Sequence, residues 1–214
     1  MKSNWDKAAS NYVDIIGETG SHSQRTYITP AMLEMVGNIK DKKVLDLGCG
    51  EGYFSRKVAE LGAEVTGIDI SAELVKIAKE KEKRKSLGIK YHNLSSESLD
   101  GIKDSSFDLI VSNMVLHNVK NLEATFAECS RVLKNNGRLI FVIIHPLVDT
   151  MKMASFDNDL QGFSSSSEFM ASNALFHIVL IGTRELFSIT VHFNIILIIC
   201  SKVAFLYPNL MKFH

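Results

Sequence analysis

Up to about residue 145 the apolar positions keep two rhythms in turn: short unbroken runs, and runs spaced for a helix. Trp5, Ala9, Tyr12 and Ile16 share one helical face, with Asn4 as a candidate cap. Gly17 and Gly20 end that helix. Thr29 before Pro30 reads as a cap plus a proline in the first turn, and predicts a helix over 31–36 that stops at Gly37. A strand over 43–47 follows, then a helix over 53–61 stopped by Gly62. A second strand ends at Asp69. Ser71 caps a helix that runs to about Ser86 and stops at Gly88. Short strands are predicted at 89–92 and 107–112. Asn121 caps a helix with Leu122, Phe126, Cys129 and Leu133 on one face, terminated by Gly137. The apolar run 139–144 suits a parallel strand buried on both faces. Strands alternating with helices predict an α/β fold of parallel βαβ units.

Beyond this the pattern breaks. Residues 157–167 are polar, with four serines at 164–167, and read as a loop. From Ala174 the chain is dense in Ile, Leu, Phe and Val, and no charge falls between Glu185 and Lys202. The first reading is a β-hairpin giving the last two strands of the sheet, because β-branched and aromatic residues abound. The second is a divergent end that does not complete the fold. The last is a membrane segment: the uncharged run is slightly under the ~18–20 residues a span needs, and it holds His192 and Asn194. Residues 1–168 are therefore taken as one domain and 174–214 as an atypical apolar tail. Exposed apolar surface and poor solubility are expected of that tail.

The candidate chemistry gathers at Val44-Leu45-Asp46-Leu47-Gly48-Cys49-Gly50-Glu51-Gly52. Glycine at alternate positions lets a ligand lie against bare backbone. The spacing is G-x-G-x-G. Tyr53 stands where a dinucleotide fingerprint has its third glycine. A pyrophosphate would rest on the following helix N-terminus, where Glu51 would repel it. Asp46, at the carboxyl end of its strand, suits an ammonium group. Asp69, about 20 residues after the glycines, is placed for a ribose diol. An amine plus a ribose with no phosphate describes S-adenosylmethionine.

Four segments then resemble one family: residues 44–52, residues 62–69, residues 106–113 and residues 131–137. In order and spacing they are similar to class I S-adenosylmethionine-dependent methyltransferases, over about residues 4–150. The resemblance implies a Rossmann-like, doubly wound, mostly parallel sheet of seven strands in a single domain, with an N-terminal helical lid. It implies that Asp46, Gly48 and Gly50 hold the methionine end and that Asp69, with Ile70 beside it, holds the adenosine. The Ser96 backbone and Leu99 would lie near the adenine and Asn113 near the reacting centre. Ser95 stands where relatives carry an acid for the adenine amine, with Glu97 nearby. The Asn-Pro-Pro-Tyr-like residues of adenine- and glutamine-amino methyltransferases are absent, since Ser112-Asn113-Met114-Val115 occupies that place. A small-molecule acceptor is expected.

Methyl transfer needs alignment above all, and a base only where the acceptor must lose a proton. Tyr12, His117 and His145 are the candidates. Half-buried packing roles for Tyr12 and His117, and a turn role for His145, compete with that reading.

Charge and composition narrow the function. Lys+Arg and Asp+Glu each count 24, so no basic surplus points to nucleic acid. The run Lys79-Glu80-Lys81-Glu82-Lys83-Arg84-Lys85 reads as a solvated helix end. Cys49, Cys129 and Cys200 make no C-x-x-C pair, and the histidines make no metal spacing. No metal is expected. The first residues lack the apolar core of a signal peptide, so a cytoplasmic setting is the default. Two other functions stay open: a non-catalytic S-adenosylmethionine-binding protein, and an NAD-dependent oxidoreductase. Glu51, Tyr53 and Asp46 disfavour the second.

Overall fold

The computed structural model describes residues 3–144, 176–181, 186–192 and 195–200. Helix α1 (Asn4–Ile16) leads to a π-helical turn at Gln24–Ile28 that runs straight into α2 (Thr29–Val36). Then come β1 (Lys43–Leu47), α3 (Tyr53–Glu60), β2 (Glu64–Asp69), α4 (Ala72–Arg84), β3 (Lys90–Asn93) and β4 (Phe107–Asn113). Helix α5 (Leu122–Val132) leads directly into β5 (Leu133–Ile144), followed by β6 (Phe176–Ile181), β7 (Leu186–His192) and β8 (Ile195–Cys200). One eight-stranded sheet has the order β3-β2-β1-β4-β5-β6-β7-β8. The pairs among β1 to β5 are parallel, and the pairs from β5 through β8 are antiparallel.

The strand period of two sends alternate residues of the parallel strands to opposite faces. Val44, Val65, Leu109, Val111 and Ile140 pack under α2, α3 and α4. Leu45, Leu47, Ile68, Ile110 and Phe141 pack on α5 through Phe126, Cys129 and Val132. Side chains such as Leu45, Leu47 and Ile110 are wholly buried, each stabilising the fold by about 1.5–3 kcal/mol. Both faces of the parallel strands are covered, as a doubly wound sheet requires. The carboxyl ends of β1, β2 and β4 come together where Asp46 pairs with Gly67 on one side and Val111 on the other.

Several local expectations need correction. Ser3 caps α1, not Asn4: its hydroxyl accepts from Asp6 N–H, and Asp6 accepts from Ser3 N–H, a reciprocal box. Thr29 caps nothing, because the π-helical turn already continues into α2. Its hydroxyl bonds Tyr53 Oη at 3.3 Å instead. Helix α5 stops at Val132 and Gly137 lies inside β5, where a bulge lets Phe107 pair with Leu133 and Leu109 with Arg138. Among the described residues the sheet has eight strands, where seven were expected. The uncharged stretch of the tail is divided between β7 and β8, so β6, β7 and β8 make three antiparallel strands where a two-stranded hairpin was expected. Among the described residues no helix is long and apolar enough to cross a membrane. The loop expected over 157–167 and the tail past Cys200 lie outside the described residues.

Candidate functional site

The glycine turn is pinned to its neighbours by backbone bonds. Gly48 and Cys49 N–H both donate to Ile68 O at 2.8 Å. Gly50 N–H donates to Asp69 Oδ2, also at 2.8 Å. Gly48 and Gly52 have φ of +76° and +85°, a region that costs other L-residues about 1–2 kcal/mol. A methyl group at Gly48 would also collide with Val115, just past β4, and one at Gly52 with Tyr91. A methyl at Gly50 would meet only the Tyr12 ring, about 3.5 Å away, so Tyr12 of α1 covers the turn.

Two acids flank this bare backbone. Asp46 is 1% exposed; its Oδ2 accepts from Ser55 Oγ at 2.5 Å, while its buried Oδ1 has no partner. Burial pushes its carboxyl up to about 7, with the neighbouring charges of Asp69 and Glu51 adding to the effect. Asp69 accepts from Gly50 N–H on Oδ2 and from Ser71 N–H on Oδ1, each at 2.8 Å. Burial raises its pKa, and those two N–H bonds oppose the rise. Asn113, the last residue of β4, also has a buried Oδ1 without a partner. Unpartnered acceptors on two adjacent strand ends fit a donor-rich cation such as an ammonium group.

Glu51 contradicts its expected role. It is 1% exposed, and its Oε2 lies 2.7 Å from Lys81 Nζ and 3.0 Å from Arg56. A carboxylate sealed between two cations repels no diphosphate, so the case against one rests on Asp46 and Asp69. Lys81 is likewise not part of a solvated helix end, because it is buried against Glu51.

Asp46, Gly48, Gly50, Asp69 and Tyr12 converge on the glycine turn. Ile70, next to Asp69, keeps 52% of its surface open. His117 is exposed on the short turn Leu116–Asn118 that follows β4. Tyr12 is half buried, and burial together with Glu51 and Asp69 raises its pKa, which keeps the phenol protonated. Leu99 does not join this group. Ser96 Oγ bonds Thr125 Oγ1 of α5, and Leu99 is wholly buried in the α5 core with its N–H on Glu128. Leu99 was expected near an adenine, but it presents no surface to a ligand. Glu97 accepts from Asn121 N–H at the start of α5. His145 lies outside the described residues. Ser55, Ser71 and Val115 were missed as neighbours of the site. Ser71 had shown only its capping signal, and Ser55 had no signal beyond its place in the helix after the glycines. Among the described residues no group of His, Cys, Asp and Glu could hold a metal ion.

Residues 45–141, from β1 into β5, match a family model described as a methyltransferase domain. Over this segment the chain is similar to class I methyltransferase domains. A demethylmenaquinone methyltransferase of Tropheryma whipplei is 38% identical over 113 residues, covering 51% of this chain and 45% of that protein. A ubiquinone biosynthesis O-methyltransferase of Idiomarina loihiensis is 34% identical over 118 residues, covering 53% of this chain and 49% of that protein. The crystal structure of an S-adenosylmethionine-dependent methyltransferase from Mesorhizobium loti shares 30% identity, with a TM-score of 0.53, over 61% of this chain and 57% of its own. The chain spans about half the length of the curated relatives it matches. The matched segment encloses the glycine turn, both acids and Asn113, and ends before the antiparallel strands of the tail.

Two outcomes follow from these charges. An acid raised by burial holds its proton longer in the folded chain. The contribution of Asp46 to stability is therefore complete below about pH 4 and is lost as pH climbs through about 7. Asp46→Asn cannot titrate, so the stability of wild type minus that of Asp46→Asn falls between about pH 4 and about pH 8 in urea unfolding. A difference that stays flat across this range would remove the buried-acid assignment. Lys81→Met leaves Glu51 buried with one partner fewer. With Arg56 still in place it should cost about 1.5–3 kcal/mol by denaturant titration, against under ~1 kcal/mol for an exposed pair.

Proposed function

We propose that the chain transfers a methyl group from S-adenosylmethionine to a small-molecule acceptor. The observation that carries this reading is the pair of buried acids, Asp46 and Asp69, flanking a bare backbone turn within a methyltransferase domain. The cofactor supplies an activated methyl group when bound. Asp46, Gly48 and Gly50 serve its methionine end, and Asn113 lies towards the reacting centre. Asp69 takes the ribose, already oriented by two backbone N–H groups. Ile70 offers its open apolar face to the base, with the Ser96 backbone as a further contact. Tyr12, held neutral by its buried acidic surroundings, serves as cover and hydrogen-bond donor. His117 is the base for an acceptor that must lose a proton.

The similar demethylmenaquinone methyltransferase and ubiquinone biosynthesis O-methyltransferase support a small organic acceptor. A formal net charge of zero supports the same reading over a nucleic acid. We extend the functional domain to residues 1–168, since α1 covers the turn from outside the matched segment. A cytoplasmic setting accords with free thiols at Cys49 and Cys129.

Calorimetry with S-adenosylhomocysteine tests the reading directly. Wild type binds it, and Asp69→Ala weakens binding about tenfold or more, the size of a lost charge-assisted hydrogen bond. Unchanged affinity in Asp69→Ala would refute the assignment of the ribose acid. A thermal shift with NAD and none with S-adenosylhomocysteine would refute the function itself.

A further inference from the structure

Helix α1 is tied to α4 at both ends. Near its start, Asp6 Oδ1 accepts from Ser71 Oγ at 2.8 Å and from Glu73 N–H at 3.3 Å. Just past its end, Glu18 Oε1 lies 3.7 Å from Lys81 Nζ. Between the tethers, Tyr12 covers Gly50. The first tether meets the site through one residue. Ser71 is wholly buried, donates its N–H to Asp69 Oδ1, donates its hydroxyl to Asp6, and accepts Leu74 N–H on Oγ at 3.3 Å.

Neither helix needs this bond for its own sake. Capping α4 requires only that Ser71 accept from Leu74. The box that starts α1 uses Asp6 Oδ2, which accepts Ser3 N–H at 2.7 Å. The other oxygen, Oδ1, is left to cross to α4. We propose that Asp6 and Ser71 are positioning residues of the cofactor site, latching α1 over the glycine turn and orienting Asp69, so that closing the cover and presenting the ribose acid are one event. The inference rests on the S-adenosylmethionine reading above. The bond to Ser71 is the largest cause holding the Asp6 carboxyl down at about 2, so the latch stays charged at neutral pH.

The chain's one tryptophan, Trp5, sits beside Asp6 on α1, its ring edge-on to Tyr12 with centroids 6.0 Å apart. It reports the cover without any cofactor. Acrylamide quenching of Trp5 in the cofactor-free chain, and stopped-flow release of S-adenosylhomocysteine, make the test. In Asp6→Asn and Ser71→Ala, Trp5 becomes more accessible and S-adenosylhomocysteine leaves about tenfold faster, the size of one lost charge-assisted bond. Ser71→Thr keeps the hydroxyl and restores both readouts. Ser3→Ala removes the α1 box but not the latch, and leaves the release rate near wild type. Wild-type quenching in folded Asp6→Asn and Ser71→Ala would overturn the latch. Greater accessibility with unchanged release would overturn its coupling to Asp69. A wild type that binds no S-adenosylhomocysteine would defeat the functional reading, while the quenching comparison still decides the latch.

Discussion

The bond from Gly50 N–H to Asp69 Oδ2 joins the glycine turn after β1 to the end of β2. With the two N–H groups that land on Ile68 O, it makes the turn part of the sheet. A loop of glycines has the most backbone freedom to lose on ordering. Without these bonds it would sample many shapes, and no ligand would find a prepared surface. Because parallel strands β1, β2 and β4 lie side by side, the acids at their ends sit near one another without any long loop reaching across. Site geometry here follows from strand order.

The parallel half of the fold was legible because its signals are local and agree. Strands β1, β2 and β4 read as apolar runs, and Ser71 and Asn121 cap the helices they were expected to cap. The failures share a physical cause. Ser3, Thr29 and Gly137 each depend on what the chain does next to them. Asp6 was available to complete a box with Ser3, a π-helical turn removed the need for a cap at Thr29, and pairing with β4 drew residues 133–138 into a strand and out of the helix that Gly137 was expected to end. Propensity is a weak prior that such contacts overrule. In the tail, a run that is apolar throughout carries no period, and so could not say how many strands it makes.

Within the site, residues fixed by backbone spacing were readable: Asp46, the glycines and Asp69 lie where the sequence put them. Leu99 and Glu97 were not, because α5 packs against that loop and takes both for itself, one into the core and one onto Asn121 N–H. Sequence spacing places Leu99 a few residues past β3. It cannot show that a helix beginning more than twenty residues later will cover it.

Glu51 and Asp46 lie five residues apart, both 1% exposed, and the fold treats them in opposite ways. Glu51 meets Lys81 and Arg56, so its charge is balanced within the protein. Asp46 meets one serine hydroxyl and, among the described residues, no cation, while each acid keeps one buried oxygen without a partner. Burying an acid without compensation is costly, and a fold needing only rigidity there would be better served by an amide or an apolar residue. Glu51 has its counter-ions built in, which makes it part of the scaffold under the turn. Asp46 lacks one, and burial, with the charges of Asp69 and Glu51, raises its pKa. On the function proposed above, the amino group of S-adenosylmethionine would be that missing partner.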